Sequence, residues 1–262
     1  MKILAIISMT IKRRLAYFSA MWFGMITTII SIVVYYFLWA AIFLNRQSFS
    51  GYSFSMIVTY VVLSRIISSQ FSGGINETLA QWVYEGTIAV ELLRPIGLVR
   101  SLFAQRLGEL FHFVSLRALP LAIVASLVLG VSPPAGFMAG LLFAAGFLVS
   151  FILLFCIELI VGLLSFYTMN FYGVKFAKDA LLTILSGGLV PLAFFPAAVR
   201  KIIELLPFQH LVSTPVNAYI GILSPAQALY SLGLELLWIL VLSGVAVLFF
   251  RASIKKIVVQ GG

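Results

Sequence analysis

The sequence predicts an all-α membrane protein of six transmembrane helices, with an amphipathic cytoplasmic segment after the second span and an extracellular re-entrant helical hairpin between the fifth and sixth. Three observations carry that prediction. The 262-residue chain is 62% hydrophobic and only 10% charged, whereas a soluble domain is about half apolar. The apolar residues fall in long, charge-poor runs. Lys and Arg gather between alternate runs, as the positive-inside rule requires of a multi-pass chain.

A mean hydropathy of +1.14 makes lipid the solvent for most of the surface. At about 20 apolar residues per span, the chain has room for about six crossings and no sizeable soluble domain, so 1–262 reads as a single transmembrane domain. The spans fall at about 15–44, 54–71, 107–129, 137–164, 180–196 and 228–250. The first is too long for a signal-peptide core. Pro133 and Pro134 close the third, since proline cannot continue a helix.

Six crossings put both termini on one side. Lys2, Lys12, Arg13, Arg14, Arg94, Arg100, Arg106, Lys175, Lys178, Arg251, Lys255 and Lys256 share that side, against Arg46, Arg200 and Lys201 on the other. Twelve against three makes the termini cytoplasmic. The net charge of +9 therefore reads as topology, and no nucleic-acid partner is expected. Cys156 is the single cysteine, so no disulfide framework exists.

The longest cytoplasmic connection contains NETLAQWVYEGTIAVELLRP. On one helical wheel, Leu79, Trp82, Val83, Gly86, Val90 and Leu93 share a face opposite Glu77, Gln81, Glu85 and Glu91. A helix lying in the lipid interface fits this pattern. So does a helix docked on protein, because Ile88 and Leu92 stand on the otherwise polar face. Pro95 sets its end.

Ser186, Gly187 and Gly188 weaken the fifth span, and Pro191 and Pro196 each remove a backbone donor. An interrupted helix is tolerated in a membrane only where protein or water meets its freed backbone groups. Beyond it, Val199, Ile202, Ile203 and Leu206 alternate with Arg200, Lys201 and Glu204 as a short amphipathic helix. Pro207 ends that helix, and the charge-free stretch through Pro215 to Gly221 reads as a second short non-spanning piece. Together they make a re-entrant pair on the outer side.

Ionisable residues within spans are functional candidates because lipid penalises them. Arg65, Glu109, His112, Arg117, Glu158 and Glu235 qualify. Arg117 either neutralises Glu158 or contacts a substrate, and Glu235 either lines a pathway or reaches the outer headgroups. No metal site is expected: His112 and His210 are the only histidines and fall on opposite sides of the bilayer. An intramembrane lipid-modifying enzyme lacks an organised catalytic constellation, and a secondary transporter would show paired broken helices.

Three motifs, EGTIAVELLRP, SGGLVPLAFFP and LPFQHLVSTPVNAYIG, occur in an order that resembles the type-2 ATP-binding-cassette permeases, the six-helix exporter-like membrane subunits without a fused ATPase. The resemblance implies a non-enzymatic permease of a bacterial-type inner or plasma membrane. It also implies membrane lipid around the chain, a second permease, identical or homologous, and two cytoplasmic ABC ATPase subunits as partners. No cofactor is expected to bind directly; ATP and Mg would sit on the ATPase. The first cytoplasmic loop would be the coupling helix, placing Trp82, Glu85, Gly86, Ile88, Glu91, Leu92 and Arg94 at the ATPase contact. The extracellular gate would include Gly187, Gly188, Pro191, Pro196, Pro207, Phe208 and Pro215. Consistent with this, the sequence has no GxxxxGK[ST] phosphate loop.

Overall fold

A computed structural model describes residues 2–168 and 170–255; Lys256, counted above among the basic residues, lies outside them. Helix α1 covers Lys2–Ala16 and α2 Phe18–Phe43. A minimal antiparallel ribbon of β1 (Ser48–Phe49) and β2 (Tyr52–Ser53) follows, the one pair of strands among the described residues. Then come α3 (Phe54–Ser68), α4 (Ile75–Tyr84), α5 (Ile88–Leu92), α6 (Leu98–Phe113) and α7 (Leu119–Leu129). The remainder is α8 (Phe137–Leu163), α9 (Phe171–Leu185), α10 (Ala197–Glu204), α11 (Ser213–Tyr219) and α12 (Pro225–Ile254).

Among the described residues, four helical stretches are long and apolar enough to cross a membrane: Phe18–Phe43, Leu98–Leu129, Phe137–Phe166 and Pro225–Ile254. Helices α3 and α9 have 15 residues each, about 22 Å at 1.5 Å per residue, against an apolar core about 30 Å thick. The charge-free window points to 180–196 for the fifth span, whereas α9 starts at Phe171 and stops at Leu185. It starts early because Asn170 caps it, accepting from the Gly173 N–H at 3.1 Å. Its charges also find partners: Lys175 pairs with Glu77, and Lys178 donates to the Phe71 carbonyl at 2.8 Å. It stops because Gly187 turns the chain at φ +79°.

Helices α6 and α7 run on as one rod through a π-helical turn, Val114–Ala118. Pro120 supplies the reason: it has no N–H for the preceding turn, and its ring crowds that turn's carbonyl. A wider turn relieves the crowding. At the other end of the chain, Ser224 caps α12 reciprocally, accepting from Gln227 N–H while the Gln227 side chain accepts from Ser224 N–H at 2.9 Å.

Helix α8 is the central pillar. Its apolar window is 61% buried, against 22% for α2, 22% for α6–α7 and 11% for α12. The other three therefore turn most of their apolar surface outward, where only lipid or another apolar chain can cover it. Contacts define two ends of the bundle. Glu77–Lys175, Arg14–Glu109 and Tyr84–Thr168 meet at one, the basic end. Tyr52–Asn217 and the backbone pair Ala135–Tyr219 meet at the other.

Candidate functional site

At the basic end, α4 is seated on α8 with almost no clearance. Gly74 precedes α4 at φ +95°, and a Cβ there would lie 2.5 Å from the Glu158 carboxylate. On the next turn of α8, a Cβ at Gly162 would come within 3.1 Å of the Asn76 Cα. Glu158 thus puts its charge at the N-terminus of α4, the positive end of the helix dipole. Arg106 of α6 bridges two acids, reaching Glu158 at 2.9 Å and Glu109 at 3.1 Å. Arg14 of α1 pairs with Glu109 from outside. Four elements, α1, α4, α6 and α8, are joined by one chain of charges.

This corrects the sequence-based pairing of Glu158 with Arg117. Helix α6 begins nine residues before the apolar run that marks the third span (Leu98 against 107), so Arg106 is helical and level with Glu158, while Arg117 stands three turns further along the rod.

The expected coupling residues divide by exposure. Ile88 is 4% exposed and packs with Leu98, Leu102, Phe155 and Leu159. Glu91 is also buried and takes Arg94 at 2.7 Å. Trp82 and Leu92 are half-buried, whereas Glu85, Gly86 and Arg94 are exposed. Ile88 therefore serves the protein's own core and has no surface to offer a partner. The exposed apolar groups are Val90 and Leu93, at 62% and 85%. A single wheel through residues 77–93 missed this because Gly86 takes φ +70° and splits the segment into α4 and α5. The break resets the helical phase; the Gly86–Thr87 pair is the one local signal for it.

At the opposite end the segment after α9 is folded back on itself. Phe194 meets Phe49 and Tyr52 edge to face, with centroids at 4.9 and 5.5 Å. The chain then runs through α10 and returns, so that Ser213 N–H donates to the Ser186 carbonyl at 2.9 Å. It leaves again through α11, whose Tyr219 hydroxyl donates to the Ser132 carbonyl at 3.2 Å. Gly187 lies under Tyr60, which donates to its carbonyl at 2.8 Å. Pro215 lies against Gly146 of α8, where a Cβ would come within 3.3 Å. Of the residues expected at a gate, Gly187, Gly188, Pro191, Pro207 and Pro215 are buried and Phe208 is half-buried. Pro196 is exposed, at the start of α10.

Between the ends lie the other intramembrane candidates. Arg65 and Arg117 line one cavity of about 370 Å³. Glu235 is fully buried in α12, and neither of its carboxylate oxygens has a hydrogen-bond partner among the described residues. Glu158 belongs to the ion network at the basic end, away from both.

The family model described as "ABC-2 family transporter protein" matches residues 29–261 of this chain. No curated protein matches it.

Proposed function

The chain belongs to the ABC-2 transporter family, and on that premise we propose that it is the permease subunit of an ATP-binding-cassette exporter driven by separate cytoplasmic ATPase subunits. It is a multi-pass membrane protein, a transport component that is not itself catalytic. In the proposed reading, six passes cross a bacterial-type inner or plasma membrane with both termini cytoplasmic. Helices α3 and α9 complete their crossings through the segments that flank them. A second permease, identical or homologous, covers the outward apolar faces that lipid does not.

The observation that carries the reading is the α4–α5 elbow at the basic end. It is fixed to α8 from within and presents Val90 and Leu93 outward beside Glu85 and Arg94. Exposed apolar groups ringed by charge suit a protein partner. The chain has no phosphate loop of its own, so the nucleotide would be bound by that partner.

The fold then supplies a route for the force. An ATPase that closes on nucleotide displaces α4–α5. Parting α4 from α8 would take the N-terminus of α4 away from the buried Glu158 carboxylate that it faces, so the two move together. The far end of α8 carries Pro215 on Gly146, so tilting α8 disturbs the folded-back segment 186–221, read here as an extracellular re-entrant gate.

Co-purification tests the proposal. The tagged full-length chain is expected to bring down a separately encoded ABC ATPase. The double variant Val90→Asp/Leu93→Asp is expected to lose it at least tenfold while inserting into the membrane normally. A chain that never associates with an ATPase, or an association that the double variant leaves intact, sinks the reading.

A further inference from the structure

We propose that the cavity between α2, α3, the π-helical turn and α9 is a binding site for a phosphate group, held between Arg65 and Arg117. The sequence has 17 Lys and Arg. Fifteen sort to one side or the other by the positive-inside pattern, and the remaining two are these arginines. Arg65 comes from α3 and Arg117 from the π-helical turn, yet both line the same cavity of about 370 Å³. No carboxylate lines it. Among the described residues, the acids that pair with arginine are Glu91, Glu109, Glu158 and Glu204, and none of them takes Arg65 or Arg117.

Two uncompensated guanidinium groups at this depth are costly in lipid. Aromatic faces offset part of that cost: Arg65 lies 4.7 Å over Tyr35 and Arg117 5.9 Å over Phe113. A ring face cannot accept the remaining in-plane N–H donors. Among the described residues, Arg65 Nη2 and Arg117 Nε are buried with no hydrogen-bond partner, and so is the Ser68 hydroxyl. The residues that line the cavity thus hold unmet polar groups just behind its wall, and a bound group that is anionic and rich in acceptor oxygens would satisfy their guanidinium forks.

Phosphate fits those terms better than carboxylate. It presents more acceptor oxygens to two planar forks and to hydroxyls such as Ser31 and Ser72 on the same wall. The volume is within the range of small-molecule sites and leaves space for part of an ester substituent. The π-helical turn contributes as well: such turns widen a helix locally and recur at functional sites, and this one carries Arg117.

The shared chemistry is a phosphate ester, whether a phospholipid headgroup or a soluble phosphate. That the bound group is cargo rests on the permease reading above. That it binds does not, so a binding assay without any ATPase separates failure of this inference from failure of that reading.

The full-length chain in phosphate-free maltoside micelles is titrated with fluorescent phosphatidic acid and with equally labelled diacylglycerol. In a second arm, inorganic phosphate is tested for a rise in unfolding temperature. Saturable binding of phosphatidic acid without diacylglycerol binding supports a headgroup source; stabilisation by inorganic phosphate supports a soluble one. Either response is expected to weaken at least about tenfold in Arg65→Gln/Arg117→Gln. It should survive in Arg46→Gln, whose arginine lies over Phe49 outside the cavity. Gly24→Leu keeps both arginines but fills the cavity, since a Cβ there meets Arg117 Nη2 at 2.8 Å; it too is expected to lose binding, and it decides the matter if the double variant does not fold. Equal binding of the two lipids with no phosphate effect, or unchanged affinity in Gly24→Leu, overturns the proposal.

Discussion

The two ends of α8 are held by different chemistry. At the basic end the helix is fixed by charge: Glu158 is completely buried, Arg106 meets it at 2.9 Å, and Glu109 and Arg14 extend the chain of pairs. At the opposite end it is fixed by fit. Pro215 rests on Gly146, Ser213 and Ser186 share a backbone hydrogen bond of 2.9 Å, and the rings of Trp39, Phe49 and Tyr52 surround Phe194. Buried ion pairs are intact or very costly, because a single survivor is left charged in an apolar site. Packed rings and short helices part in smaller steps. The first arrangement suits an end that must move as a unit with a partner, the second an end that opens and reseals.

The sharpest way to break that contrast is Glu158→Ala. It leaves Arg106 buried with Glu109 alone and removes the charge at the start of α4. The loss is expected to approach the roughly 3–5 kcal/mol of a broken buried pair, with Glu109 still facing Arg106 and offsetting part of it, and is seen as a large fall in unfolding temperature in detergent. The variant Glu158→Leu/Arg106→Met removes both charges and keeps the volume, so it should recover most of the loss. If Glu158→Ala unfolds with the wild type, the basic end is held by packing like the other.

Much of this architecture is legible in the sequence, and what is hidden follows a rule. Long apolar runs locate α2, α8 and α12 within a few residues, because hydropathy depends on composition alone. Charged helix turns are hidden. Arg106, Lys175 and Lys178 look like loop residues until a tertiary partner makes helix affordable, so α6 and α9 both begin before their apolar runs do. Ile88 illustrates the second blind spot: it stands on a polar face only if the chain is one helix through Gly86, and a single glycine at φ +70° changes what the wheel means. Arg65 and Arg117 were legible one at a time as intramembrane charges. That they share a cavity depends on how α2, α3 and the π-helical turn pack, which no local pattern encodes.

A comparison of two glycines is smaller in scale and more specific. Gly86 and Gly187 adopt the same left-handed backbone, φ +70° and +79°. A Cβ at Gly86 meets nothing within 4 Å, whereas one at Gly187 would lie 2.7 Å from the Tyr60 hydroxyl. Gly86→Ala should therefore cost about 1 kcal/mol of backbone strain. Gly187→Ala should cost about 2–3 kcal/mol, since it also displaces a buried hydroxyl from its hydrogen bond. Thermal unfolding of the two variants side by side reads the difference directly. Equal losses would mean that the opposite end yields without strain, and that its fit is looser than these distances imply.

The least effect is expected from the ion pair at the opposite end. Arg200 and Glu204 lie 3.3 Å apart, one turn apart on α10, with side chains 42% and 49% exposed. Exposed pairs of this spacing contribute roughly 0–0.5 kcal/mol, because solvent screens them and two long side chains must be ordered. Helix α10 has another means of attachment. Val199, Ile202 and Leu205 expose 43%, 63% and 74% of their surface along the flank next to buried Ile203, and in the proposed topology that flank lies in the outer leaflet. Arg200→Ala should leave the unfolding temperature within error of wild type and insensitive to salt, while Glu158→Ala loses several kcal/mol. A salt-dependent loss in Arg200→Ala comparable with that of Gly187→Ala would put an ionic lock at both ends of α8, and the division between a charged handle and a packed gate would fall with it.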